Sequence, residues 1–214
     1  MKRIFLLILL ALACTAMRAQ FSLTGSDPSW VKWRQIKTPE FKIIFPEGED
    51  SLAWVYGEWL EKSKTEVSRS SGLTIGKNYK GRIPVVLHSF NTEPNASVAW
   101  APKRMDVFTS PDPYNPTPIP WEKLLSLHEG RHVSQMHAGI SGPHRVMHYI
   151  FGEMYAGALA GIYPGPTFLE GDAVVTETAL TKSGRGRQAS FLSYMMPAFD
   201  SGDWRDYWRW SFGS

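Results

Sequence analysis

The residues with the most chemical content are His128, Glu129 and His132, in the run Leu127-His128-Glu129-Gly130-Arg131-His132-Val133. Two imidazoles four residues apart share one face of a helix, so both can reach a single metal ion, and a carboxylate directly after the first projects beside that ion. Two neutral nitrogen donors suit zinc. A catalytic zinc needs a third protein ligand and keeps its fourth position for water. Glu170, in Pro166-Thr167-Phe168-Leu169-Glu170-Gly171-Asp172-Ala173, stands near a helix start from which its carboxylate can project back toward the first helix. Glu153, on the intervening helix, is its rival. Zinc in such a set lowers the pKa of its water toward ~7, and Glu129 is placed to take that proton and deliver it to a leaving amine. A solvated helix face is the plainer reading of the triplet. Leu124, Leu125 and Leu127 speak against it, because they imply a buried helix where unpaired His and Glu are costly.

Other histidines invite weaker readings. His144 and His148 also stand four apart, but no carboxylate lies between them and they read as a polar helix face. His88 and His137 read as structural or exposed.

The two blocks together resemble the gluzincin metallopeptidases, the MA-like families. In those enzymes the HExxH helix is followed by a second helix with the third ligand in an aromatic-Leu-x-Glu-Gly-x-Ala setting. Here Leu169-Glu170-Gly171-Asp172-Ala173 has that character, in a more compact form, and Glu177 stands seven residues after Glu170. The resemblance implies that His128, His132 and Glu170 bind zinc, that Glu129 is the general base, and that Glu177 orients a ligand imidazole. It covers the layout of residues 40 to 182 and departs from the family in the 37 residues between His132 and Glu170, a longer interval than is usual there. An oxyanion donor in the family often follows the third ligand, and Tyr194 and Tyr207 are both late enough.

These residues need elements to position them. Phe41–Phe45 and Arg82–His88 have strand character, with Pro84 near a strand start or on an edge. Ser97–Trp100 and Met105–Thr109 read as a hairpin, and either strand could offer an edge to an extended peptide. From Asp50 to about Ser70, Leu52, Trp54, Val55, Trp59, Leu60 and Val67 recur at helical spacing. After a proline-rich loop come helices at roughly 121–138, 145–161 and 167–182. A strand-rich half followed by a helical half predicts an α+β domain, with a small mixed sheet packed on the helix that carries the HExxH residues, as in a thermolysin- or aminopeptidase-like catalytic domain.

Composition sets the wider frame. The 214 residues are 43% hydrophobic and 20% charged, which supports a buried core and excludes a disordered or collagen-like chain. Lys2 and Arg3 precede an apolar run from Ile4 to Ala13, and Ala19-Gln20 offers a cleavage point, the layout of an export signal over residues 1–19. Lipidation at Cys14, the only cysteine, is the less favoured alternative to cleavage after Ala19. The expected location is periplasmic, outer-membrane or extracellular, with no transmembrane helix after signal removal. Of 23 basic residues three lie in that signal with no acidic partner, so the remainder holds 20 basic against 20 acidic residues. Nothing there favours a nucleic-acid partner. Residues 20–40 read as a lead-in, 41–182 as the metallopeptidase-like domain and 183–214 as a C-terminal extension. Its abrupt, aromatic-rich close suggests a truncated chain or the first domain of a longer protein. The expected partner is a peptide or protein substrate. The reading from another class is a catalytically silent envelope module, against which Glu129 argues, because a purely structural zinc needs no general base.

Overall fold

The structure is a computed structural model that describes residues 27–69, 81–114, 117–193 and 195–202. The export-signal assignment, Tyr194 and Tyr207 lie outside the described residues. Strands β1 (Trp33–Lys37), β2 (Phe41–Pro46), β3 (Ile83–His88), β4 (Ala96–Trp100) and β5 (Lys103–Phe108) form one mixed sheet in the order β1-β2-β3-β5-β4. The two outer pairs are antiparallel, whereas β2 with β3 and β3 with β5 run parallel. Helix α1 (Asp50–Arg69) makes the crossover between β2 and β3, and α2 (Trp121–Ala138) follows β5. Then come α3 (His144–Phe151), α4 (Met154–Ile162), α5 (Pro166–Leu180), a 3-10 turn (Arg185–Arg187), and the short helices α6 (Ala189–Leu192) and α7 (Met195–Ser201). The molecule is thus α+β, as the order of strands and helices predicts.

Side chains alternate across the strands, so one sheet face gathers Phe41, Ile43, Phe45, Ile83, Val85, Leu87, Met105 and Val107 into the core. Helix α1 covers that face with Ala53, Tyr56, Leu60 and Val67, and α2 adds Leu125, Leu127 and Val133. Helix α2 is more than amphipathic: every residue from Leu124 to Ser134 is buried. Gly130 lets α1 approach it, since a Cβ there would stand 3.3 Å from Val67 Cγ2. Trp121 anchors the start of α2 by donating from Nε1 to the Phe108 carbonyl at 3.0 Å. Pro84 occupies the second position of β3, so the strand-start reading holds and the edge reading does not.

Three expectations need correction. The lead-in is not without structure, because Trp33–Lys37 pairs along β2 as the outer strand β1. Its burial is nearly uniform exposure, so it carries no alternating pattern to read. The helix expected over 145–161 is two helices, α3 and α4, broken at Gly152, whose φ of 66° is a left-handed conformation that favours glycine. Finally, β5 cannot offer an edge, since β3 and β4 occupy both its sides, and among the described residues β4 alone of the two hairpin strands has an unpaired side. Among the described residues, no helix is long and apolar enough to cross a membrane.

Candidate metal centre

The HExxH residues lie in the buried middle of α2. His128, Glu129 and His132 are 7%, 3% and 9% exposed, and each offers a ligand atom within 4.8 Å of the others. Helix α5 starts beside them, with Pro166 in its first turn where a missing N–H does no harm. From the second turn of α5 Glu170 reaches across: its Oε2 lies 3.2 Å from His128 Nε2, and its Oε1 lies 3.5 Å from His132 Nε2. Glu153 does not join them. Its Oε2 accepts from the Lys103 backbone N–H at 2.9 Å, at the start of β5.

One helical turn pair further along α5, Glu177 is fully buried and sets Oε2 3.3 Å from His128 Nδ1. Arg185 completes this side. It donates to Glu177 Oε1 from Nε at 2.6 Å and to Oε2 from Nη2 at 3.0 Å, and Nη2 also stands 2.7 Å from His128 Nδ1. Its insertion depends on Gly184 and Gly186, where a Cβ would come within 2.5 Å of Thr178 Cα and 2.8 Å of Thr178 Oγ1. The site therefore continues past residue 182.

The electrostatics are those of a crowded acidic pocket. Burial pushes the Glu129 carboxyl above the usual carboxylate range, against the pull of His128 and His132. Hydrogen bonds from His128 and His132 hold Glu170 well below it. Burial opposes charge on His128, but hydrogen bonds to Glu170 and Glu177 outweigh it and raise its pKa to about 9. His132 rises for a similar reason, with burial opposed by Glu170.

His128, Glu129 and His132 could hold a metal ion, and imidazole donors are of a type that zinc accepts. Glu170 spans both rings, with Oε2 3.2 Å from His128 Nε2 and Oε1 3.5 Å from His132 Nε2, so its carboxylate stands where a third ligand would. Three carboxylates, Glu129, Glu170 and Glu177, act on the Arg185 guanidinium and help to keep it charged. Glu129 Oε2 is buried without a hydrogen-bond partner among the described residues, poised for a polar group in the cleft. That cleft, of about 490 Å³, is bounded by Ala96, Ser97 and Val98 on β4, by the HExxH residues, and by Glu170 and Arg185.

His144 and His148 go separate ways, to the Tyr155 hydroxyl at 2.8 Å and the Gly152 carbonyl at 3.0 Å. His88 and His137 are buried away from the cleft. Arg185, Gln135 and Asp172, all in contact with site residues, are given no site role by the sequence reading. For Arg185 a signal exists, in a charged residue between two glycines directly after a helix. No protein-family model matches the chain, and no curated protein and no solved structure matches it.

Proposed function

We propose that the chain is an exported zinc-dependent peptidase of gluzincin type, with a thermolysin- or aminopeptidase-like catalytic arrangement. The observation that carries this reading is the convergence of Glu170, from a separate helix, on both imidazole Nε2 atoms of the HExxH residues. His128, His132 and Glu170 hold the ion, which when bound supplies Lewis acidity toward water and a carbonyl oxygen. Glu129 takes a proton from a water molecule in the cleft and passes it to the leaving amine nitrogen. Burial raises its pKa and so makes it a stronger base toward that proton. Glu177, gripped by Arg185, sets Oε2 3.3 Å from His128 Nδ1 and keeps that ring turned toward the cleft. The unpaired side of β4 runs along the cleft wall, so an extended peptide can add to it through main-chain hydrogen bonds with the scissile bond near Glu129.

The test is a metal assay joined to a peptidase assay. Purified protein is expected to hold one zinc per chain and to hydrolyse a mixed peptide library, and Glu129→Gln is expected to keep the zinc and lose the hydrolysis. A chain without stoichiometric zinc, or a Glu129→Gln variant of undiminished activity, overturns the proposal.

A further inference from the structure

Gln135 stands three residues after His132 on α2. Its Oε1 lies 2.8 Å from His132 Nδ1, and its Nε2 donates to the Leu169 carbonyl at 3.0 Å and to Asp172 Oδ2 at 2.7 Å. Those two acceptors decide which way the amide faces. A carbonyl oxygen and a carboxylate oxygen have no proton to give, so the group facing both is the NH2 and the oxygen faces the imidazole. That oxygen has no proton to give either. His132 Nδ1 therefore carries the hydrogen, and whenever the ring is neutral it is Nε2, on the side of Glu170, that has the lone pair.

Asp172 is held in turn. Arg131 donates to its carboxylate from Nε at 2.6 Å and from Nη2 at 3.1 Å, and Nη1 reaches back to the Val67 carbonyl of α1 at 2.9 Å. A chain of hydrogen bonds thus runs from the α1 backbone through Arg131, Asp172 and Gln135 to His132. Because Leu169 and Asp172 flank Glu170, the same bonds that orient the ring also fix the α5 turn carrying Glu170 against α2.

We infer that Gln135 is a positioning residue that locks His132 in its Nδ1–H tautomer, so that Nε2 is ready for a metal ion before one arrives, with Asp172 and Arg131 fixing Gln135. The metal half of this inference rests on the zinc reading above; the tautomer half does not.

Gln135→Leu, similar in size but without an acceptor, is the direct test, with Asp172→Ala as a second variant should the first fail to fold. Zinc affinity, read by chelator competition, is expected to fall about 10–100-fold. Nitrogen-15 spectra of metal-free protein, recorded above the imidazole titrations, are expected to show wild-type His132 as the Nδ1–H form and the variant as a mixture or the Nε2–H form. Unchanged zinc affinity overturns the inference, and so does weakened binding with an unaltered tautomer, which marks a merely structural role. Should the wild type take up no zinc, the zinc reading fails while the nitrogen-15 comparison still decides the tautomer.

Discussion

At the scale of single residues, the proposed peptidase reading separates groups that would hold a metal from a group that would move a proton. Glu129→Gln keeps the shape of the side chain and removes its basicity, so kcat is expected to fall by ~10²–10⁴-fold, the range general base catalysis supplies. Zinc content should stay at the wild-type value, because the ligand positions are untouched. Glu170→Gln has the reverse signature. It replaces the anionic donor that faces both Nε2 atoms, and zinc affinity should fall by more than the ~10–100-fold typical of outer partners. Glu153→Gln is the discriminating control, since Glu153 holds the start of β5 and not the imidazoles. Equilibrium dialysis against zinc reads both, and loss of metal from Glu153→Gln with none from Glu170→Gln would reverse the ligand assignment.

At the scale of elements, the site depends on how closely α5, the 3-10 turn and α2 approach. Gly184→Ala is expected to be costly because the new Cβ would lie 2.5 Å from Thr178 Cα and 2.9 Å from the Glu177 carbonyl, both α5 backbone atoms. Overpacking of that kind costs about 1–3 kcal/mol, and here it also draws Arg185 away from Glu177. Gly157→Ala in α4 meets nothing within 4 Å and should be neutral or slightly stabilising. Urea unfolding of the two variants gives the contrast, and equal midpoints would mean that the turn is free to shift. The same elements show what the sequence makes legible. The HExxH pair is readable because its partners are one helical turn apart, and α1 is readable because its apolar residues recur on one face. Glu170 is readable through the residues around it, which resemble a known setting, and not through any periodicity. Arg185 and His128 are 57 residues apart, and Gln135 and Asp172 are 37 apart. Nothing local announces either contact; each exists only once α5 has packed on α2. Strand β1 is hidden for a different reason, since an exposed outer strand has no buried face to impose alternation.

At the scale of the whole molecule, two buried histidines outside the cleft should give stability a dependence on pH with opposite signs. His88, at the end of β3, sets Nδ1 2.6 Å from Asp27 Oδ2 and Nε2 3.3 Å from Asp106 Oδ1. Burial opposes its charge, but the two aspartates outweigh burial and its pKa is raised. A raised folded pKa contributes stability that is fully present below the unfolded value of about 6.5 and is lost as pH rises through the folded one. His137 does the reverse. It is 1% exposed, with its ring set edge-on to Trp100, and burial reinforced by Lys103 lowers its pKa to about 4. Above pH ~6.5 neither the folded nor the unfolded imidazole is charged and this residue has no effect. As pH falls from about 6.5 to about 4, the unfolded chain binds a proton that the folded chain refuses, so stability declines, by about 3 kcal/mol in the limit. Urea unfolding across a pH series should therefore show Gln at position 137, in the variant His137→Gln, flattening the acid limb relative to wild type. His88→Gln should flatten the limb above neutrality. The slope is the quantity to compare, because either substitution also shifts stability at every pH by disturbing its packing. His128, His132 and the cleft carboxylates touch neither substituted residue, so their contribution cancels in the difference. An acid limb of unchanged slope in His137→Gln would show that the imidazole is protonated in the folded protein and that burial does not hold it neutral.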